Sequence, residues 1–349
     1  MESLADSHDQ SGGRMGWRPR IRAALRALRG VEVEKAAEAK STQAGESIDQ
    51  AIETLEAASI KEVQDHGYHF QRRDYYSALN DIPFLTENWD LWHERPPPPG
   101  IRWDLDAQID EVRHVSRYLA ELANIPFDPP QGPPRYHWDN NFWRGSDALV
   151  HYGLLRHAKP RHVVEIGAGW SSLLMADALE RNRAEGSAPT IVDQIEPYPR
   201  RELLSALPSD WTLHKTILQR VDLRVFDSLE AGDVCFFDGS HVARAGSDVV
   251  WFFFDVLPRL KPGVLVHVHD IFWPTDYPDE WIFERGQTWN EQYVLQAFLM
   301  YNSDFAPMIC NNMLFRHRRE ELANLFSGVP ETHHSGASVW FRRTGAEDP

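Results

Sequence analysis

From residue 135 onward the chain alternates short β-branched or aromatic runs with longer stretches whose apolar residues recur at helical spacing. The short runs predict strands near 162–166, 190–195, 212–217, 232–237, 263–268, 305–310 and 337–342. The longer ones predict helices near 145–157, 170–182, 199–206, 244–259 and 289–302. Such alternation is expected of a parallel, doubly wound sheet, whose ligands gather at the carboxyl ends of its strands. The expected fold class is therefore α/β, a seven-stranded Rossmann-like sheet preceded by a mainly helical N-terminal extension.

Ahead of residue 135 the pattern changes. Residues 1–13 are polar and glycine-containing, a composition that predicts disorder. Ile21, Ala24, Leu25 and Leu28 recur at helical spacing among Arg22, Arg26 and Arg29. This is a basic amphipathic helix that a solvated leader explains more simply than a membrane surface. Ala-Glu-rich sequence with helical propensity continues to residue 63. Pro96 to Pro99 predict a stiff linker, because proline enters neither a helix interior nor a central strand. Leu105, Ile109, Val112, Val115, Leu119 and Leu122 then mark an amphipathic helix, closed by Pro129, Pro130, Pro133 and Pro134. The expected organisation is a flexible or helical leader over 1–63, a helical extension with its Pro-rich linker over 64–134, and the α/β domain over 135–345. Tyr136 to Trp143 are aromatic and polar together, which suits a loop over a ligand or an aromatic-packed helix-capping loop equally well.

Composition narrows the function. A core is available, since 42% of the 349 residues are apolar, including 13 Trp and 17 Phe. The formal charge of −16 argues against a nucleic-acid partner, which wants a basic surface, and leaves a small molecule as the expected substrate. With two cysteines, one of them (Cys235) inside an apolar strand-like run, no disulfide framework is expected. The richest apolar run, Val249 to Leu257, is interrupted by Asp255 and falls short of the ~18 residues of a membrane span. The basic Arg14 to Arg29 stretch has no apolar core after it, as a signal peptide would. A cytoplasmic location without stable membrane insertion is the expectation.

The chemistry begins at His162-Val-Val-Glu-Ile-Gly-Ala-Gly-Trp-Ser171, a β-branched run broken by Gly167 and Gly169 and followed by helix-like Leu173, Leu174, Ala176 and Leu179. A strand, tight turn and helix N-terminus bring backbone N–H groups close to a nucleotide-like ligand. Glu165 stands before the turn, Glu196 ends the next strand, and Asp238 ends a later one. A dinucleotide fingerprint would place a third glycine at 172, where this chain has Ser172. Further on, Asp233-Val-Cys-Phe-Phe runs into Asp238-Gly-Ser-His241, and Gly263-Val-Leu-Val-His-Val runs into His269-Asp270. In adjacent parallel strands these ends converge beside the glycine turn. Carboxylates with imidazoles suit a divalent cation, Mg²⁺ first, with Mn²⁺, Fe²⁺ or Zn²⁺ as imidazole enters. Loop-capping by Asp238 and Asp270 is the simpler alternative.

With Glu-x-Gly-x-Gly-x-Ser, Asp238-Gly-Ser-His-Val, Gly246-Ser-Asp-Val and Val266-His-Val-His-Asp-Ile-Phe-Trp-Pro, the chain resembles the class I S-adenosylmethionine-dependent methyltransferases. The branch it resembles includes the macrolide-sugar (macrocin-type) O-methyltransferases, and the likeness covers roughly residues 135–345. The resemblance implies seven strands, the last antiparallel, and a cofactor held by Glu165, Gly167, Gly169, Ser171, Glu196 and Asp238. It further implies a divalent cation on Asp238, His269 and Asp270, with His241 as general base. Where relatives place an acid or amide near adenine, this chain offers Gln219 or Asp222, with Arg220 at the position where Asp is common. His269 stands where the middle metal ligand is usually acidic. His267 is expected to be buried and is left out of the ligand set.

These implications add up to methyl transfer from S-adenosylmethionine to a hydroxyl of a sugar or natural product, with a carboxylate or amine as alternative acceptor. A metal-dependent hydroxylase using the same His and Asp residues, or a cofactor-binding scaffold, would keep the fold and change the function. Phe272 to Trp281, rich in aromatics and proline, is read as a substrate lid, a dimer contact or a packed loop. Residues 1–134 carry no recognisable motif and are assigned to substrate binding or to homo-oligomerisation.

Overall fold

The computed structural model describes residues 41–93, 95–200, 202 and 205–345. The expectations for residues 1–40, and for residues 201, 203 and 204 of the 199–206 helix, lie outside them. The chain divides into two compact units, residues 1–79 and 80–349. In the first, Ala51 and Leu55 of helix Ser41–Glu56 bury against Val63 of helix Ile60–Gln64. Ser59 starts that second helix by accepting from the Glu62 N–H while the Glu62 carboxylate accepts from the Ser59 N–H.

The second unit is built on seven strands: β1 His162–Ile166, β2 Ile191–Ile195, β3 Thr212–His214, β4 Val234–Phe237, β5 Leu265–His269, β6 Phe305–Cys310 and β7 Ser338–Arg343. Their order is β3-β2-β1-β4-β5-β7-β6. β1 to β5 run parallel, and β7 is antiparallel to both β5 and β6. The strand pattern reads directly into two cores. Val163, Val234 and Phe236 pack on one face, under helices Gly145–Ala158 and Trp170–Ala184, while Val164, Cys235, Phe237 and Val266 pack on the other. Each such burial contributes about 1.5–3 kcal/mol, which is why β1, β4 and β5 are apolar on both faces. Cys235 and Cys310 are buried free thiols. No helix among the described residues is long and apolar enough to cross a membrane.

Several expected elements end differently: β3 stops at His214 rather than at 217, the 289–302 helix spans Glu291–Leu299, and three more depart further. The 244–259 helix is shorter and irregular: Gly246 takes φ +74°, so helix starts only at Ser247, whose hydroxyl accepts from the Val250 N–H. After helix Asp248–Trp251 the chain widens to a π turn at Phe252–Val256 and tightens at Leu257–Arg259, where Pro258 has no N–H to donate. The π turn seats Phe252 flat on Phe237, ring centroids 4.0 Å apart. The expected 105–122 helix divides into helix Leu105–Ser116 and a 3₁₀ segment Leu119–Asn124. Its apolar stripe is nevertheless continuous, since Ile109, Val112, Val115, Leu119 and Leu122 all join the core under Gly145–Ala158. The Pro96 to Pro99 segment is anchored rather than free, with Pro98 buried and its carbonyl accepting from Trp103 Nε1 at 2.9 Å.

Candidate functional site

At the carboxyl ends of β1, β2 and β4 lies a cleft of about 320 Å³, within the size range of small-molecule pockets. Its floor is the 167–171 loop, its sides are Glu196, Tyr198 and Asp238, and Phe142 and Trp143 border it from the 136–143 segment. That segment is a rigid loop. Asn140 Nδ2 donates to the carbonyls of His137 and Trp143, Asn140 Oδ1 accepts from the Phe142 and Trp143 N–H groups, and the Tyr136 hydroxyl donates to Trp143 O. Trp143 is thereby fixed in the core while Phe142 stays 60% exposed at the cleft mouth. The Arg200 guanidinium lies 4.5 Å from the Phe142 ring centroid.

The two glycines act differently. Gly167 takes φ +87°, and a Cβ there would lie 2.0 Å from Asp238 O, so only glycine allows β1 and β4 to meet at this edge. The Gly167 N–H donates to Ile195 O and the Asp238 N–H to Ile166 O, completing the edge. Gly169 is extended, and a Cβ on it would meet no protein atom within 4 Å. Glu165 lies behind this loop, fully buried. Its carboxylate accepts from Ser171 Oγ (2.7 Å), Ser172 Oγ (2.6 Å) and Gln194 Nε2 (2.7 Å). Burial raises its pKa to about 7 against the pull of those donors. Ser172, the residue in place of a third glycine, also accepts from the Gly169 N–H at 3.0 Å. Glu165 therefore braces the loop, and Ser171 both lines the cleft and carries that brace.

Glu196 and Asp238 line the cleft; Gln219 does not. Gln219 Nε2 donates to Gly246 O at 2.7 Å, and Asp222 is engaged by Arg224 at 2.8 Å.

Beyond Asp238 the β4 and β5 ends converge. Ligand atoms of Asp238, His241 and Asp270 lie within 4.8 Å of one another. His241 Nε2 is 3.3 Å from Asp238 Oδ1 and 3.5 Å from Asp270 Oδ2. His269 sits beside this group, its Nε2 3.6 Å from Asp270 Oδ1 and its ring 4.5 Å from that of Trp143. The structure thus draws His241 into the carboxylate cluster where the resemblance implied His269. His241 (φ +60°) and Asp270 (φ +55°) are both left-handed, a strained conformation for residues with a Cβ that the surroundings must hold. His267 lies in the core, flat on Phe236 at 4.2 Å.

The electrostatics follow from crowding. For His241 burial works against the charged ring, yet Asp238 and Glu291 outweigh it and hold the pKa well above the usual imidazole range. For Asp238 burial opposes ionisation, but His269 and His241 win and the pKa falls. For Asp270 burial wins and the pKa rises. Two carboxylate oxygens and an imidazole nitrogen are a hard, mostly oxygen donor set that fits Mg²⁺ or Mn²⁺.

Two residues of this site receive no role from the sequence, although Asp248 falls within the Gly246-Ser-Asp-Val run. Glu291, at the start of helix Glu291–Leu299, is 1% exposed and places Oε2 2.8 Å from His241 Nδ1. Asp248 accepts from the Ser240 N–H at 2.8 Å and from its hydroxyl, bracing the 238–241 turn. For Glu291 the signal is a lone acid in the first turn of a helix, which electrostatics favours at any helix start.

Residues 164–271, which span both strand ends of this site, match the family model described as a methyltransferase domain. A protein of Archaeoglobus fulgidus described as uncharacterized is 33% identical over 136 residues, 38% of this chain and 59% of the relative. The chain thus spans less than two thirds of that relative. Among solved structures, an apo structure of CmcI is 18% identical, covering 79% of this chain and 98% of that one at a TM-score of 0.35. A CmcI structure with Mg and SAM is 15% identical, covering 81% and 100% at a TM-score of 0.33. The matched residues 164–271 lie in the seven-stranded sheet with its antiparallel β7, the strand pattern expected of a methyltransferase domain.

Proposed function

We propose that the protein transfers a methyl group from S-adenosylmethionine to a hydroxyl of a small molecule, a sugar or natural product, with His241 as the base. The observation that carries this reading is the position of the Asp238, His241 and Asp270 cluster at the edge of the cleft, with Asp238 common to both. Gly167, Gly169 and Ser171 would lie along the donor, with Glu196 available to its ribose hydroxyls and Glu165 holding the loop from behind. Gln219 remains the residue proposed for adenine, reached only if its bond to Gly246 is exchanged.

Methyl transfer to oxygen is an in-line displacement. His241 must first give up the Nε2 proton that Asp238 and Glu291 favour; the acceptor O–H proton then passes to Nε2, the O–CH₃ bond forms as the S–CH₃ bond breaks, and S-adenosylhomocysteine leaves as a neutral thioether. The protein must align the three atoms, exclude water and receive the proton. Asp238 and Asp270, joined by His241 or His269, would hold a divalent cation. Such an ion supplies positive charge that lowers the pKa of an acceptor hydroxyl.

Calorimetry with S-adenosylmethionine and S-adenosylhomocysteine, then label transfer from methyl-labelled donor to a panel of hydroxylated compounds, tests the proposal. Absence of binding to both donor forms would overturn it. His241→Ala should lower kcat about 10²-fold or more for a hydroxyl acceptor. A carboxylate acceptor needs no base, so near-full activity in that variant would move the assignment there.

A further inference from the structure

We propose that Glu291 is the positioning residue of the site, fixing the His241 ring so that Nε2 faces Asp238 and Asp270. The functional weight of this inference rests on the reading of His241 as base; the ring's orientation does not.

Three sets of contacts from one helix start converge on His241. The Asn290 and Glu291 N–H groups donate to His241 O at 3.0 and 3.2 Å, and the Ala243 N–H donates to Asn290 Oδ1 at 2.6 Å. These bonds hold the left-handed backbone at His241. The Trp289 indole covers the imidazole, ring centroids 4.1 Å apart. Glu291 Oε2 then takes Nδ1 at 2.8 Å. Burial raises the Glu291 pKa to about 7; above that pH the carboxylate only accepts hydrogen bonds, so it selects the ring with a proton on Nδ1. In the neutral ring that leaves the Nε2 lone pair directed at the space between Asp238 and Asp270. A ring flip would set carbon against Glu291 and lose the bond.

A second observation separates this role from scaffolding. Glu291 is 1% exposed, yet its Oε1 has no hydrogen-bond partner among the described residues. A buried carboxylate with one oxygen unsatisfied carries a desolvation cost. The cost at Oε1 is opposed by the single side-chain bond that Glu291 makes among the described residues, to His241 Nδ1, so the carboxylate is placed for that ring.

The test uses the full chain with nitrogen-15 histidine, reading ring tautomers by long-range proton–nitrogen correlation, with His241 assigned from the spectrum of His241→Gln. Thermal midpoint and affinity for S-adenosylhomocysteine are measured beside it. The wild type should show His241 protonated on Nδ1 with a slowly exchanging ring proton. Glu291→Gln, which keeps an acceptor oxygen, should retain that signal. Glu291→Leu should lose it and melt below the wild-type midpoint, because His241 Nδ1 is left buried without a partner, while both variants bind S-adenosylhomocysteine unchanged. A Leu variant that keeps the Nδ1–H signal overturns the proposal. So does a Gln variant that folds but loses the Nδ1–H signal, since its retained acceptor oxygen should hold the ring. Failure of the wild type to bind S-adenosylhomocysteine would count against methyl transfer and leave the ring-orientation result standing.

Discussion

The Gly167 and Gly169 pair separates backbone need from ligand need at the scale of single residues. Gly167→Ala forces a side chain into a left-handed position against Asp238 O and should destabilise the domain by about 2–4 kcal/mol. Gly169→Ala adds its methyl to empty space, so its stability should stay within about 1 kcal/mol of wild type while affinity for S-adenosylhomocysteine falls. Urea denaturation and calorimetry on both variants check this, and a Gly169→Ala protein that binds normally would remove Gly169 from the donor site. Glu165 supplies a pH test. Its folded pKa of about 7 lies above the ordinary 4.5, so the native state holds a proton that the unfolded chain releases in that window. Its contribution to stability is complete below about 4.5 and is lost as pH rises through about 7. The unfolding free energy of wild type minus that of Glu165→Gln should therefore decline with pH across this interval. A flat difference would show that the brace of Ser171, Ser172 and Gln194 keeps the carboxylate ionised throughout.

Among the elements, the 105–124 segment is tied to the sheet's helices by one buried cation. Arg156, on helix Gly145–Ala158, is 1% exposed. It places Nε and Nη2 2.9 and 3.0 Å from the two oxygens of Glu121, beside a third contact from the Tyr152 hydroxyl at 2.6 Å. Arg156→Ala empties that space and leaves Glu121 with Tyr152 and the more distant Arg181, whose Nε is 3.7 Å away, an expected loss of about 2–4 kcal/mol by denaturation. Glu121 is 23% exposed and partly rehydrates, so a loss at the lower end is favoured. A change below the usual surface-pair value, about 1 kcal/mol, would show that Leu119 and Leu122 hold the segment without it. Elements of this kind were legible where a period was long and clean: β1, β6 and helix Gly145–Ala158 fall within a residue of their expected bounds. They were illegible where one residue overrides the period, as Gly246 and Pro258 do for the expected 244–259 helix. The Glu121–Arg156 pair joins residues 35 apart, and no spacing rule connects them. Within the site the glycine turn and the strand-end acids could be read because backbone geometry demands them next to their strands. Glu291 could not, because its contact with His241 spans 50 residues and is made only by folding.

For the molecule as a whole, the charge of −16 complicates any claim about a cation, since so acidic a surface gathers divalent ions without a site. Diffuse attraction and a built site differ in range and in what removes them. Exposed charges are screened beyond about 8 Å at 0.15 M salt, whereas the Asp238 and Asp270 oxygens converge at one point and are largely sheltered from solvent. At 0.15 M KCl, Mg²⁺ or Mn²⁺ at a hundredfold excess over its Kd should raise the unfolding free energy by about 2.7 kcal/mol, the value linkage requires of one native-state site. Asp238→Asn and Asp270→Asn should each abolish that increment, and a chelator should reverse it in the wild type. Stabilisation that survives in both variants, or that disappears with added KCl alone, would assign the effect to the acidic surface. In that case the strand-end carboxylates would be left with His241 as their only cationic partner apart from His269, and the cluster would act on the acceptor hydroxyl through its base alone.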